Sequence, residues 1–168
     1  MNASKKLLLV LLAIAVMVGL PGCGAVAEKT VEETTGVKVD DNSGSVEVEG
    51  EDGTKMTVGT AEGELPEGLP SDVPVYDGDA VGGGVFEVPE AKTFSFNIMT
   101  KDDVKTVVDW HRSELADKGW KTDAQGNLSG DEMALIHATK GDKLDIVVTI
   151  TKDESGDTSI SCVVTEKK

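Results

Sequence analysis

The sequence predicts an α+β protein: one amphipathic helix packed on an antiparallel sheet of four or five strands, preceded by a small three-strand β-meander. Three observations predict it. Residues 100–118 place apolar side chains at helical spacing, and residues 144–151 and 158–166 alternate apolar with polar. Residues 37–60 repeat a short valine-rich alternation broken by turn residues.

The meander comes first. Val37 and Val39, Val46 and Val48, and Met56 and Val58 each sit two apart, with Asp41 to Gly44 and Glu51 to Gly53 as the intervening turns. Six apolar side chains do not sustain an independent sheet, so the meander is expected to pack on the rest of the chain or stay loosely formed. Residues 61–74, rich in Gly, Pro and Glu, read as a linker. Val75-Tyr76 reads as a short edge segment and Gly82 to Gly84 as a flexible turn. Thr93 to Met99 is a strand with Phe94, Phe96 and Ile98 on one face.

The helix is predicted over Thr100 to Lys118. Thr100 serves as its cap, and Asp103 three residues on imitates a capping box. Val104, Val107, Val108, His111 and Leu115 form the apolar stripe, with Trp110 at its rim. Gly119 ends the helix in a left-handed conformation, and Trp120 folds back on Leu115. Trp120 to Asp123, Glu132 to Thr139, Leu144 to Thr151 and Thr158 to Glu166 supply further strands. The domain reading is therefore 1–22 signal, 23–35 tether, 36–60 meander, 61–74 linker and 75–168 α+β domain.

The amino terminus addresses location. Met1 to Lys6 is basic, Leu7 to Leu20 is an apolar run of fourteen residues, and Leu20-Pro21-Gly22 leads into Cys23. Fourteen residues make roughly 21 Å of helix, short of the roughly 30 Å of a bilayer core, so the segment suits export better than spanning. A cysteine directly after the cut resembles the lipobox of bacterial lipoproteins. The resemblance implies that Cys23 is the site of lipid attachment and that the mature protein is extracytoplasmic, held to the plasma membrane or outer membrane by its acyl chains. A second resemblance rests on Leu69-Pro70-Ser71-Asp72-Val73-Pro74-Val75-Tyr76 and on the helix ending Lys118-Gly119-Trp120. Residues 69–166 are similar to a group of bacterial lipoproteins and secreted proteins whose domain opens with LPxDVPxY and whose helix closes in GW. Those proteins usually carry an aromatic residue where this chain has His111. The likeness implies an α+β fold and an envelope location, and it implies no reaction.

Composition excludes some classes. The formal net charge is −15, and loss of Lys5 and Lys6 with the signal makes it −17. This charge argues against nucleic acid as a partner and against direct electrostatic adsorption to anionic lipid, because both require basic patches. Of the two cysteines, Cys162 has no partner once Cys23 carries lipid, and its place between Ile160 and Val164 makes it a small buried hydrophobe.

Catalytic and cofactor signatures are absent from the sequence. His111 and His137 form no zinc spacing, and His111 reads as a packing residue. Asp40, Asn42 and Glu51 have the outer spacing of an EF-hand loop, but Ser45 occupies the position that needs glycine. No nucleophile elbow or phosphate loop occurs. The expectation is a non-catalytic binding module of the cell envelope, without cofactor or metal. Its partners would be the membrane through Cys23 and an envelope protein or small ligand. The alternatives are a small envelope hydrolase using dispersed carboxylates and a cation-binding or sensing lipoprotein.

Overall fold

A computed structural model describes residues 37–40, 45–50, 53–59, 63–123 and 128–168. Cys23, the signal segment, the tether and the Asn42 and Glu51 members of the calcium reading lie outside the described residues. The elements are β1 (Val37–Asp40), β2 (Ser45–Glu49), β3 (Lys55–Val58), β4 (Asp79–Val88), β5 (Ala91–Thr100), α1 (Val104–Asp117), β6 (Lys121–Thr122), β7 (Leu128–Ser129), β8 (Met133–Lys140), β9 (Leu144–Lys152) and β10 (Thr158–Lys167).

All ten strands join one antiparallel sheet in the order β1-β2-β3-β4-β5-β10-β9-β8-β6, with β7 also paired to β8. Among the described residues the α+β class and the single helix are as expected, but the expected four or five strands are too few. The meander does not stand apart. It continues the sheet, because β3 pairs with β4 from Lys55–Glu87 to Val58–Gly84.

The other correction lies in β4, which runs straight through Gly82 to Gly84, the expected turn. A Cβ at Gly83 would fall on the Ser95 carbonyl oxygen, and one at Gly84 on the Thr57 carbonyl oxygen. These glycines therefore permit close backbone approach on both sides of the strand. A register shift between Ala80 and Gly82 accompanies them.

The core lies between the sheet and α1. Phe94, Phe96, Ile98, Ile136, Ile146, Val148, Ile150, Ile160, Cys162 and Val164 alternate inward and are buried. The expected helix stripe of Val104, Val107, Val108, His111 and Leu115 is buried against them. The helix start differs from expectation. Thr100 belongs to β5, where it pairs with Thr158, so it is unable to cap the helix. Asp103 is the cap: its carboxylate accepts from the Thr106 amide at 2.7 Å. That bond holds its carboxyl below the usual carboxylate range. The helix end is as read. Gly119 has φ 79°, its amide donates to the Ala116 carbonyl oxygen, and the Trp120 amide donates to the Leu115 carbonyl oxygen at 2.8 Å.

Residues 63–78 cross the helix side of the sheet, with Pro66, Val73, Pro74 and Tyr76 buried. Trp120 Nε1 donates to the Asp72 carbonyl oxygen at 2.9 Å, Lys118 Nζ to the Ser71 carbonyl oxygen at 3.3 Å, and Lys140 pairs with Asp72 at 2.7 Å. The LPSDVPVY stretch and the Lys118-Gly119-Trp120 ending are thus two sides of one contact.

Candidate functional site

Among the described residues, nothing covers the side of the sheet away from α1. Pleating sends alternate residues to opposite faces, so the residues that alternate with the buried core residues along each strand point outward. Across β2, β3, β4, β5 and β10 they form two rows, Val46–Val58–Gly84–Ser95–Val163 and Val48–Met56–Phe86–Thr93–Thr165. Neither row holds a charged or a buried residue. Val58 is 51% exposed, Phe86 44%, Val163 41% and Met56 39%. In a chain with 28% charged residues, such a continuous neutral surface is unusual, and contiguous exposed apolar area marks interaction sites. Its apolar end is the meander and β4, where Val46, Val48, Met56, Val58 and Phe86 adjoin.

The same alternation sends the meander's charges to the helix side. Glu47, Lys55, Thr57, Glu64, Glu87 and Lys92 line a solvent-open cleft of about 600 Å³ there. Glu87 pairs with Lys168 at 2.7 Å, which holds its carboxyl below the usual range. Lys55 lies 3.4 Å from Glu49. The meander is thus amphipathic across its thickness, neutral on the open side and charged on the other.

A third cluster sits where residues 75–77 meet α1. The Tyr76 hydroxyl donates to Asp102 at 2.6 Å, and burial together with that bond pushes its pKa up to about 12. Trp110 meets Tyr76 edge-on with ring centroids 4.9 Å apart. His111 stacks on Tyr76 at 5.8 Å. These aromatics border an open cleft of about 480 Å³ lined by Val75, Tyr76, Asp77, Asp102 and Trp110. His111 itself is fully buried: Nδ1 lies 2.9 Å from the Val107 carbonyl oxygen, and Nε2 has no partner among the described residues. Burial lowers its pKa, against the opposing pull of the Val107 carbonyl. His137 lies elsewhere, on the open face of β8, with Nε2 2.9 Å from Asp145. Among the described residues, no three His, Cys, Asp or Glu side chains converge as metal ligands. Cys162 is buried, which pushes its pKa up to about 12.

Sequence reasoning missed Phe86, because the strand that presents it was read as a glycine turn and unassigned chain. Its signal was the Val85-Phe86-Glu87-Val88 alternation directly after the glycines. The meander was expected to pack on the rest of the chain or stay loosely formed; it joins the main sheet and leaves Val46, Val48 and Val58 on the open face. The Val-Glu-Val-Glu text carried the information that one face would be charged, but not which side of the sheet that would be.

A family model described as START domain-like matches residues 86–157, from within β4 to the turn before β10. The chain is similar to that family over this stretch, and the likeness is compatible with the α+β architecture. No curated protein and no solved structure matches the chain.

Proposed function

We propose that this chain is a lipid-anchored extracytoplasmic lipoprotein of a bacterial membrane, joined to the leaflet through Cys23, and that its α+β domain is a non-catalytic binding module of the cell envelope. The observation that carries the binding reading is the open sheet face, whose apolar end exposes Val58, Phe86 and Met56 side by side. A folded domain presents such a surface at a contact. The anchor is supported by the basic start, the apolar run and the cysteine after Leu20-Pro21-Gly22. Two or three acyl chains make such attachment effectively permanent.

Intact mass spectrometry of the native product tests the anchor, together with fractionation of Cys23→Ser. The expected outcome is a chain beginning at Cys23 with added acyl mass, and a variant that moves from the membrane fraction to the soluble exported pool. A product that keeps residues 1–22 without acyl mass would refute the anchor. Photocrosslinking from position 86 tests the binding face: adducts at 86 and none from position 47, on the opposite side, are the expected result.

A further inference from the structure

We infer that the occupant of the apolar end of the open face is the lipid leaflet itself, on which Val46, Val48, Met56, Val58 and Phe86 form a seat. The inference rests on the lipid anchor proposed above and names the partner of the same face.

Four features point to the leaflet. Chain connectivity keeps the seat within reach of the anchor: thirteen residues lie between Cys23 and Val37, the first residue of β1, so β1 lies within about 50 Å of Cys23. β2, β3 and β4, which carry the seat, are the next strands in the sheet. Charge is segregated. Glu47 and Lys55 lie on the opposite face, so pressing the seat into an acyl boundary carries no ionised group with it.

Backbone polarity is satisfied within the seat as well, because β2, β3 and β4 are paired on both edges, and the free edge of the sheet is β1, at the rim of the seat. The small size of the apolar end suits a tethered seat. Five side chains fall far short of the about 20–30 residues a side that a specific protein interface uses. They suffice for a surface already tethered, since the anchor turns docking into an intramolecular step. Seated this way, the polar cleft on the helix side faces the aqueous compartment.

The test uses the full acylated protein in phosphatidylcholine vesicles. Val58→Cys and, as a control, Glu47→Cys carry an environment-sensitive fluorophore; Cys162 is buried and takes no label. The expected result is a blue shift of the label at 58 and its quenching by brominated lipid, with the label at 47 unchanged. Phe86→Trp repeats the measurement without a label and is quenched in the same vesicles. Labels at 58 that stay in water while the intact mass shows acylated Cys23 overturn the seat and leave the anchor standing. A disulfide between two copies of Val58→Cys in preference to lipid quenching assigns the face to a second chain and also overturns the seat. An intact mass without acyl chains removes both anchor and seat.

Discussion

Replacing His111 by Phe tests how the core tolerates a buried ring nitrogen that has no partner among the described residues. Nε2 is sealed from water without a partner, and leaving such a group unpaired costs about 1–3 kcal/mol. Phe keeps a flat ring against Tyr76 and Trp110, so the aromatic contacts survive. The change loses the Nδ1 contact to the Val107 carbonyl oxygen, which contributes about 0.5–1.5 kcal/mol. The difference leaves the Phe variant more stable by about 1 kcal/mol at pH 7.

Acid widens the gap. Burial lowers the His111 pKa in the folded state, so below about pH 6.5 the unfolded chain takes up a proton that the native state excludes. Stability then falls as pH falls, by at most about 1.4 kcal/mol per pH unit, until the folded-state pKa is reached. From pH 7 to pH 5 the limiting loss is about 2 kcal/mol, and the Phe variant does not share it. Urea unfolding of both proteins at pH 7, 6 and 5 measures the difference. A Phe variant less stable than the parent at pH 7, with an unchanged pH dependence, would refute the reasoning.

Leu115→Ala opens a cavity under the helix and is expected to cost about 2–5 kcal/mol in denaturant unfolding, since Leu115 is fully buried; a surface-like change would mean that the helix face is misplaced. Asp103→Ala lowers the melting temperature while Asp103→Asn holds it. Because the Asp103 pKa is depressed by folding, the gap between parent and Ala variant closes as pH falls through the folded-state pKa. Cys162 stays unreactive toward a thiol reagent in the native protein and reacts on unfolding, as its burial and raised pKa require; rapid native modification would contradict the inward face of β10.

Legibility followed the strength of the local signal. The stripe from Val104 to Leu115, the Gly119 stop and the inward faces of β5, β9 and β10 were readable, because their apolar residues repeat at one period over several turns or pleats. The helix start was displaced from Thr100 to Asp103, because the strand pairing of Thr100 with Thr158 outweighs its capping preference. β4 was hidden for a different reason. Glycine triplets favour turns locally, yet here Gly83 and Gly84 are required by neighbouring backbones contributed by Ser95 and Thr57, far away in sequence.

The chain by itself determined the helix, the alternating strands, the acidic balance and the lipobox-like approach to Cys23, since each depends on residues close in sequence. Only the tertiary structure decided that the meander extends the main sheet, and that Val46, Val48, Met56, Val58 and Phe86 face away from the helix. An alternating strand encodes two faces, but pairing with β4 determines which of them meets the core. That pairing depends on register between distant segments, which a period of two leaves open.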